Sequence, residues 1–103
     1  MKTIKCELSK IVKWYFGLNE NIELNKEVIK DCVESSDFLL ELFIDDDKNI
    51  IEVYLDEEES IDFILNNINK KFIFRSAKDD STYYRAEFGK YLFYSEVDLL
   101  ELN

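Results

Sequence analysis

Asp45-x-Asp47-x-Asn49, continued by Ile51 and Asp56, sets oxygen donors at the spacing of a calcium-binding loop counted from its first position to its twelfth. The match fails where such a loop must turn. Its sixth position needs glycine and holds Ile50, and its twelfth is Asp56 rather than a longer glutamate able to grip an ion with both oxygens. The segment reads as a solvated hairpin turn, with no metal ligand set. Histidine is absent from the chain, which removes the usual general base, the Ser-His and Cys-His nucleophile pairs and the commonest transition-metal ligand. Cys6 and Cys32 remain as nucleophiles, but each falls on the apolar stripe of an expected helix, where a free cysteine packs as a small hydrophobe. Gly17 and Gly89 are the only glycines and neither has a phosphate-binding spacing, so no nucleotide loop is expected. The expectation is a protein that is not an enzyme and uses no cofactor.

Chemistry of another kind is concentrated in residues 37–62. Asp37, Glu41, Asp45, Asp46, Asp47, Glu52, Asp56, Glu57, Glu58, Glu59 and Asp62 face one cation, Lys48, so this quarter of the chain carries the whole formal charge of −10. Charge that served solubility alone would be scattered. Confined in this way, it suits a partner whose basic surface ordinarily holds nucleic acid. On a strand, alternate carboxylates repeat about every 6.8 Å, a pitch comparable with that of phosphates along a nucleic-acid strand. Tyr54, Tyr83, Tyr84, Tyr91 and Tyr94 form a second candidate surface, because tyrosine is favoured where proteins grip one another. One member of Tyr83–Tyr84 and one of Tyr91–Tyr94 is expected to be exposed. Lys70, Lys71, Arg75 and Lys78 interleave with Phe72 and Phe74, and Lys2, Lys5, Lys10 and Lys13 decorate the first helix. A chain of charge −10 with two arginines is nevertheless a poor direct binder of nucleic acid. The basic cluster is better matched to the acidic block, within one molecule or across a homodimer.

Elements that position these residues follow from periodicity. A helix is expected over Lys2–Phe16, with Ile4, Leu8, Ile11, Val12 and Tyr15 on one face and Gly17 as its cap. A second is expected from Asn25 as N-cap, with Leu24 and Ile29 as a hydrophobic staple and Val28, Ile29, Cys32 and Val33 buried. From Asp37 the period becomes two. Phe38 to Ile44 and Ile50 to Asp56 then form a hairpin whose outer face carries Glu41, Phe43, Glu52 and Tyr54 together. Ser60 is expected to cap a third helix with Ile61, Ile64, Leu65 and Ile68 inward and the acids at the positive end of its dipole. Strands are expected at Phe72–Ser76, Thr82–Phe88 and Tyr91–Ser95, while Val97–Leu102 fits either a strand or a short helix.

A length of 103 residues with 47% apolar residues supports a single core, so residues 1–103 are expected to form one compact acidic domain. Its class is α+β: a small antiparallel sheet of about five strands with two to three helices packed on it. Lys or Glu interrupts every apolar stretch, so no membrane span is expected, and two isolated thiols without a signal peptide point to the cytoplasm. In size, acidity, lack of catalytic residues and mixed helix and hairpin order, the chain resembles the small acidic anti-CRISPR and DNA-mimic inhibitors of phages. That resemblance implies an inhibitor binding the nucleic-acid cleft of a nuclease or CRISPR effector. Asp45, Asp46, Asp47, Glu52, Asp56, Glu57, Glu58 and Glu59 would then meet the partner's Lys and Arg side chains, with Tyr54 beside them. An immunity protein against a basic toxin and an oligomerising structural or regulatory module are the alternatives.

Overall fold

Residues expected to begin a helix instead begin a strand. In the computed structural model, which describes residues 3–36, 38, 40–46, 49–78, 83–96 and 98–102, and not the side chains of 43–46, 49–51 and 102, β1 runs Thr3–Glu7 and α1 follows at Leu8–Phe16. The difference has a simple cause. Ile4 and Leu8 lie four residues apart, which is a helical repeat and also an even spacing on a strand, so both periods fit. Cys6 is therefore buried from a strand, and Lys5 is exposed on that strand. No side chain caps α1: Leu8 and Ser9 donate their first-turn amides to the carbonyls of Lys70 and Ile68, each at 3.0 Å. Gly17, at φ 65°, ends the helix as expected, with Leu18 donating to the Lys13 carbonyl at 2.9 Å.

α2 spans Lys26–Glu34, and the Asn25 side chain accepts from the Val28 amide at 3.0 Å, as the expected N-cap should. β2 (Leu40–Asp46) and β3 (Asn49–Tyr54) form the expected hairpin. α3 covers Glu57–Asn67. The remaining strands are β4 (Lys71–Lys78), β5 (Tyr84–Phe88) and β6 (Tyr91–Ser95), and a 3-10 helix at Leu99–Leu102 resolves the ambiguous terminus as helical.

The strands join in the order β1-β4-β5-β6-β2-β3, with every neighbouring pair antiparallel. Six strands rather than about five result from β1, and the α+β class stands. Register places Ile4, Cys6, Phe72, Phe74, Ala86, Phe88, Phe93 and Leu40 on one face. That face buries Leu8, Ile11 and Val12 of α1, Ile29 and Val33 of α2, Ile61 and Ile64 of α3, and Leu99 and Leu100. Phe88 is the hub, with ring centroids of Phe74 at 4.8 Å, Phe72 at 5.2 Å and Phe93 at 5.4 Å. Among the described residues no helix packs on the opposite face. Among the described residues no helix is long and apolar enough to cross a membrane.

Candidate partner-binding surface

Acidic residues are carried by the last hairpin of the sheet and by the helix that follows it. Pairing of β2 with β6 stops at Leu42↔Tyr91, whereas β2 and β3 stay paired as far as Asp46↔Asn49. Chain reversal at Gly89, whose φ of 54° suits glycine, ends β6 at Tyr91 and leaves the last four residues of β2, about 13 Å of strand, as a two-stranded ribbon beyond the sheet body. Asp45 and Asp46 belong to the end of that ribbon by backbone position. Asp37, Asp47 and Lys48 lie outside the described residues.

Registers on the helix-free face link Thr3, Arg75, Glu87, Leu92, Glu41 and Tyr54 into one row across all six strands. Glu41 and Glu52 share that face, as the alternation required. The expected exposure of Glu41 is corrected: it is 0% exposed, while Glu52 is open to solvent. The difference is one of position, because Glu41 sits between buried Leu92 and long Tyr54 where β6, β2 and β3 overlap, and Glu52 lies past the end of β6. Among the described residues no donor reaches either Glu41 carboxylate oxygen with hydrogen-bond geometry. The Tyr54 phenol nonetheless lies beside that carboxylate, which raises its pKa above the usual tyrosine value by contact first and by charge second, with smaller contributions from burial and Glu52. Burial of Glu41 also ends the idea of a regular row of carboxylates. On β3 the residues two positions from Glu52 are Ile50 and Tyr54, so no acid repeats there at strand pitch.

Asp56, not Ser60, caps α3. Its carboxylate accepts from the Glu59 amide at 2.8 Å while the Glu59 side chain accepts from the Asp56 amide at 3.4 Å, a reciprocal capping box. Ser60 is buried inside the first turn, its hydroxyl aimed at the Leu55 carbonyl at 3.5 Å. The sequence held the right signal, since Asp56-x-x-Glu59 has the box spacing and Ser60-x-x-Phe63 does not. Two of the expected partner-binding acids thus have a local structural task as well. Glu57 and Glu58 project from the same turn into a groove of about 340 Å³ lined also by Lys26, Lys30, Glu34, Ile61 and Asp62. There the acids of α3 face lysines of α2, which offsets part of their charge locally. Glu52, Tyr54, Asp56, Glu57, Glu58 and Glu59 are all exposed.

Basic residues gather at the other end of the strand order: Lys5 on β1 and Lys71 and Arg75 on β4 are exposed on the helix-free face. Arg75 and Arg85 both approach Glu87, at 3.4 and 3.5 Å. The tyrosine pairs divide unequally. Tyr83 is exposed and Tyr84 half-buried, as one-of-two required, whereas Tyr91 and Tyr94 are both half-buried.

Both thiols are held back from reaction. Burial raises the pKa of Cys6, helped by Glu7 and opposed by Lys10, and burial with the nearby Asp31 charge raises that of Cys32. Among the described residues no group of three or more His, Cys, Asp and Glu side chains is arranged to hold a metal ion. No protein-family model, curated protein or solved structure matches the chain.

Proposed function

We propose that this chain is a non-catalytic binding protein whose acidic β2–β3 arm engages a basic protein surface of the kind that otherwise holds nucleic acid, and that it inhibits by occupancy. The observation that carries this reading is the ribbon itself: Asp45, Asp46 and Glu52, part of a charge block that mere solvation would scatter, stand on a hairpin extending past the sheet. Exposed Glu52 and Tyr54 then combine charge with aromatic area, the pairing favoured at protein interfaces. The mechanism is steric and electrostatic, with association accelerated by the acidic field and slowed by salt. It needs no row of carboxylates at phosphate pitch. It needs only that the ribbon enter a basic cleft and exclude what belongs there.

Competition tests the reading. A bacterial protein held on the immobilised chain at low salt should be basic and should be released by added duplex DNA, because the two ligands would share one site. Retention that excess duplex leaves unchanged contradicts occupancy of a nucleic-acid cleft.

A further inference from the structure

We infer that the open edge of β3 is a docking strand that takes up an extended basic segment of the partner by β-strand addition. The inference rests on the reading of the arm as a protein-binding surface and specifies how the partner is held.

Hydrogen-bond parity gives the first argument. Leu55 donates its amide to the Leu40 carbonyl at 2.9 Å, which makes 40/55 a hydrogen-bonded pair. In an antiparallel ladder such pairs alternate, so Leu42/Val53 is bonded, while Glu41/Tyr54 and Phe43/Glu52 are not. Glu52 and Tyr54 therefore direct their amides and carbonyls away from β2. β3 ends the strand order, so these groups form a template for a further strand.

Side chains give the second argument. Val53 and Tyr54 are 39% and 56% exposed and point to opposite faces of the same edge, two of four large apolar side chains left open among the described residues. An added strand would cover both. Edge strands are ordinarily guarded by lysine, as β1 is by Lys5, but β3 carries Glu52 instead. That guard repels acidic strands and attracts basic ones. On the Glu52–Tyr54 face an incoming lysine or arginine would find a carboxylate and an aromatic ring, and a small β-branched residue would lie on the Val53 face. The occupant is accordingly an extended segment with basic residues at alternate positions. A second copy's β1 is a poorer fit: it carries Glu7 with Lys5, and its addition would be head-to-tail and unclosed.

The probe is a short peptide alternating lysine and threonine, with the same peptide N-methylated on every backbone amide as its control of equal charge, since it has no amide left to donate to a ladder. Hydrogen exchange of the Glu52 and Tyr54 amides should slow by about tenfold or more with the first peptide and not with the second. Glu52→Pro removes an outward amide and no ladder bond, so it should abolish the protection that the lysine–threonine peptide gives Tyr54 while Val53 and Leu42 keep theirs; Glu52→Gln, which loses only the carboxylate, should bind the peptide more weakly and still show that protection at saturation. Equal binding of both peptides without amide protection would overturn strand addition and leave charge recognition by the arm intact. Failure of the lysine–threonine peptide to bind would also overturn it, with the DNA competition experiment deciding the wider reading separately. Concentration-dependent protection of the same two amides in the protein alone would assign the edge to a second copy and overturn the basic-segment proposal.

Discussion

The Glu41 carboxylate is buried with only the Tyr54 phenol beside it and, among the described residues, no donor in good hydrogen-bond geometry, so its desolvation opposes folding. Glu41→Leu, which takes the polar group out of the buried position and keeps roughly its bulk, should therefore stabilise the domain by about 1–3 kcal/mol. Urea unfolding would read this as a higher midpoint at an unchanged slope. The same variant should act on Tyr54. A neighbouring carboxylate disfavours the phenolate, so Tyr54 ionises above the usual tyrosine range, and loss of the Glu41 charge should lower its pKa toward that range in an absorbance titration compared with Tyr54→Phe. An unchanged titration would show that the two side chains do not interact. Alternation correctly assigned Glu41 to its face. It could not tell that Leu92 and Tyr54 enclose it, because burial on that face depends on where β6 stops, and β6 is fifty residues away in the chain.

At the scale of elements, local signals were legible where a side chain makes the structure and illegible where a distant backbone makes it. Asn25 could be read because its own oxygen accepts from Val28. The start of α1 could not, because the carbonyls of Lys70 and Ile68 serve its first amides and a four-residue spacing fits strand and helix alike. β1 pairs from Thr3↔Arg75 to Glu7↔Lys71, contacts of long sequence separation that no short window contains. Two cap-forming types, Asp56 and Ser60, stand near the start of α3, and only Asp56 has a glutamate three residues on to close the box. Asp56→Ala should cost about 1 kcal/mol through loss of the capping box. A change well below that in thermal or urea unfolding would return the cap to another residue. Because Asp56 and Glu59 are committed to each other, their neutralisation would alter the fold and the surface together, which makes Asp45, Asp46 and Glu52 the cleaner probes of binding.

For the whole molecule, strand order turns a charge pattern along the chain into one across the sheet. Lys5, Lys71 and Arg75 lie at the β1–β4 edge, and the acidic ribbon continues from the β2–β3 edge. The confinement of charge to residues 37–62 was plain from the sequence, whereas its separation from the basic strands by β5 and β6 required the topology. A molecule polarised in this way orients a basic partner before contact. Its binding should fall steeply as salt screens the arm. The measurement that tests this most directly is capture from a bacterial lysate on the immobilised chain and on its Asp45→Asn, Asp46→Asn, Asp47→Asn variant, with salt raised in steps and the eluates identified by mass. The account predicts that the native chain retains a basic nucleic-acid-binding protein at low salt, releases it as salt rises, and holds it far more weakly in the variant. Equal retention by both chains, or the absence of any basic protein from the native eluate, would contradict it and leave the acids as a solvated face.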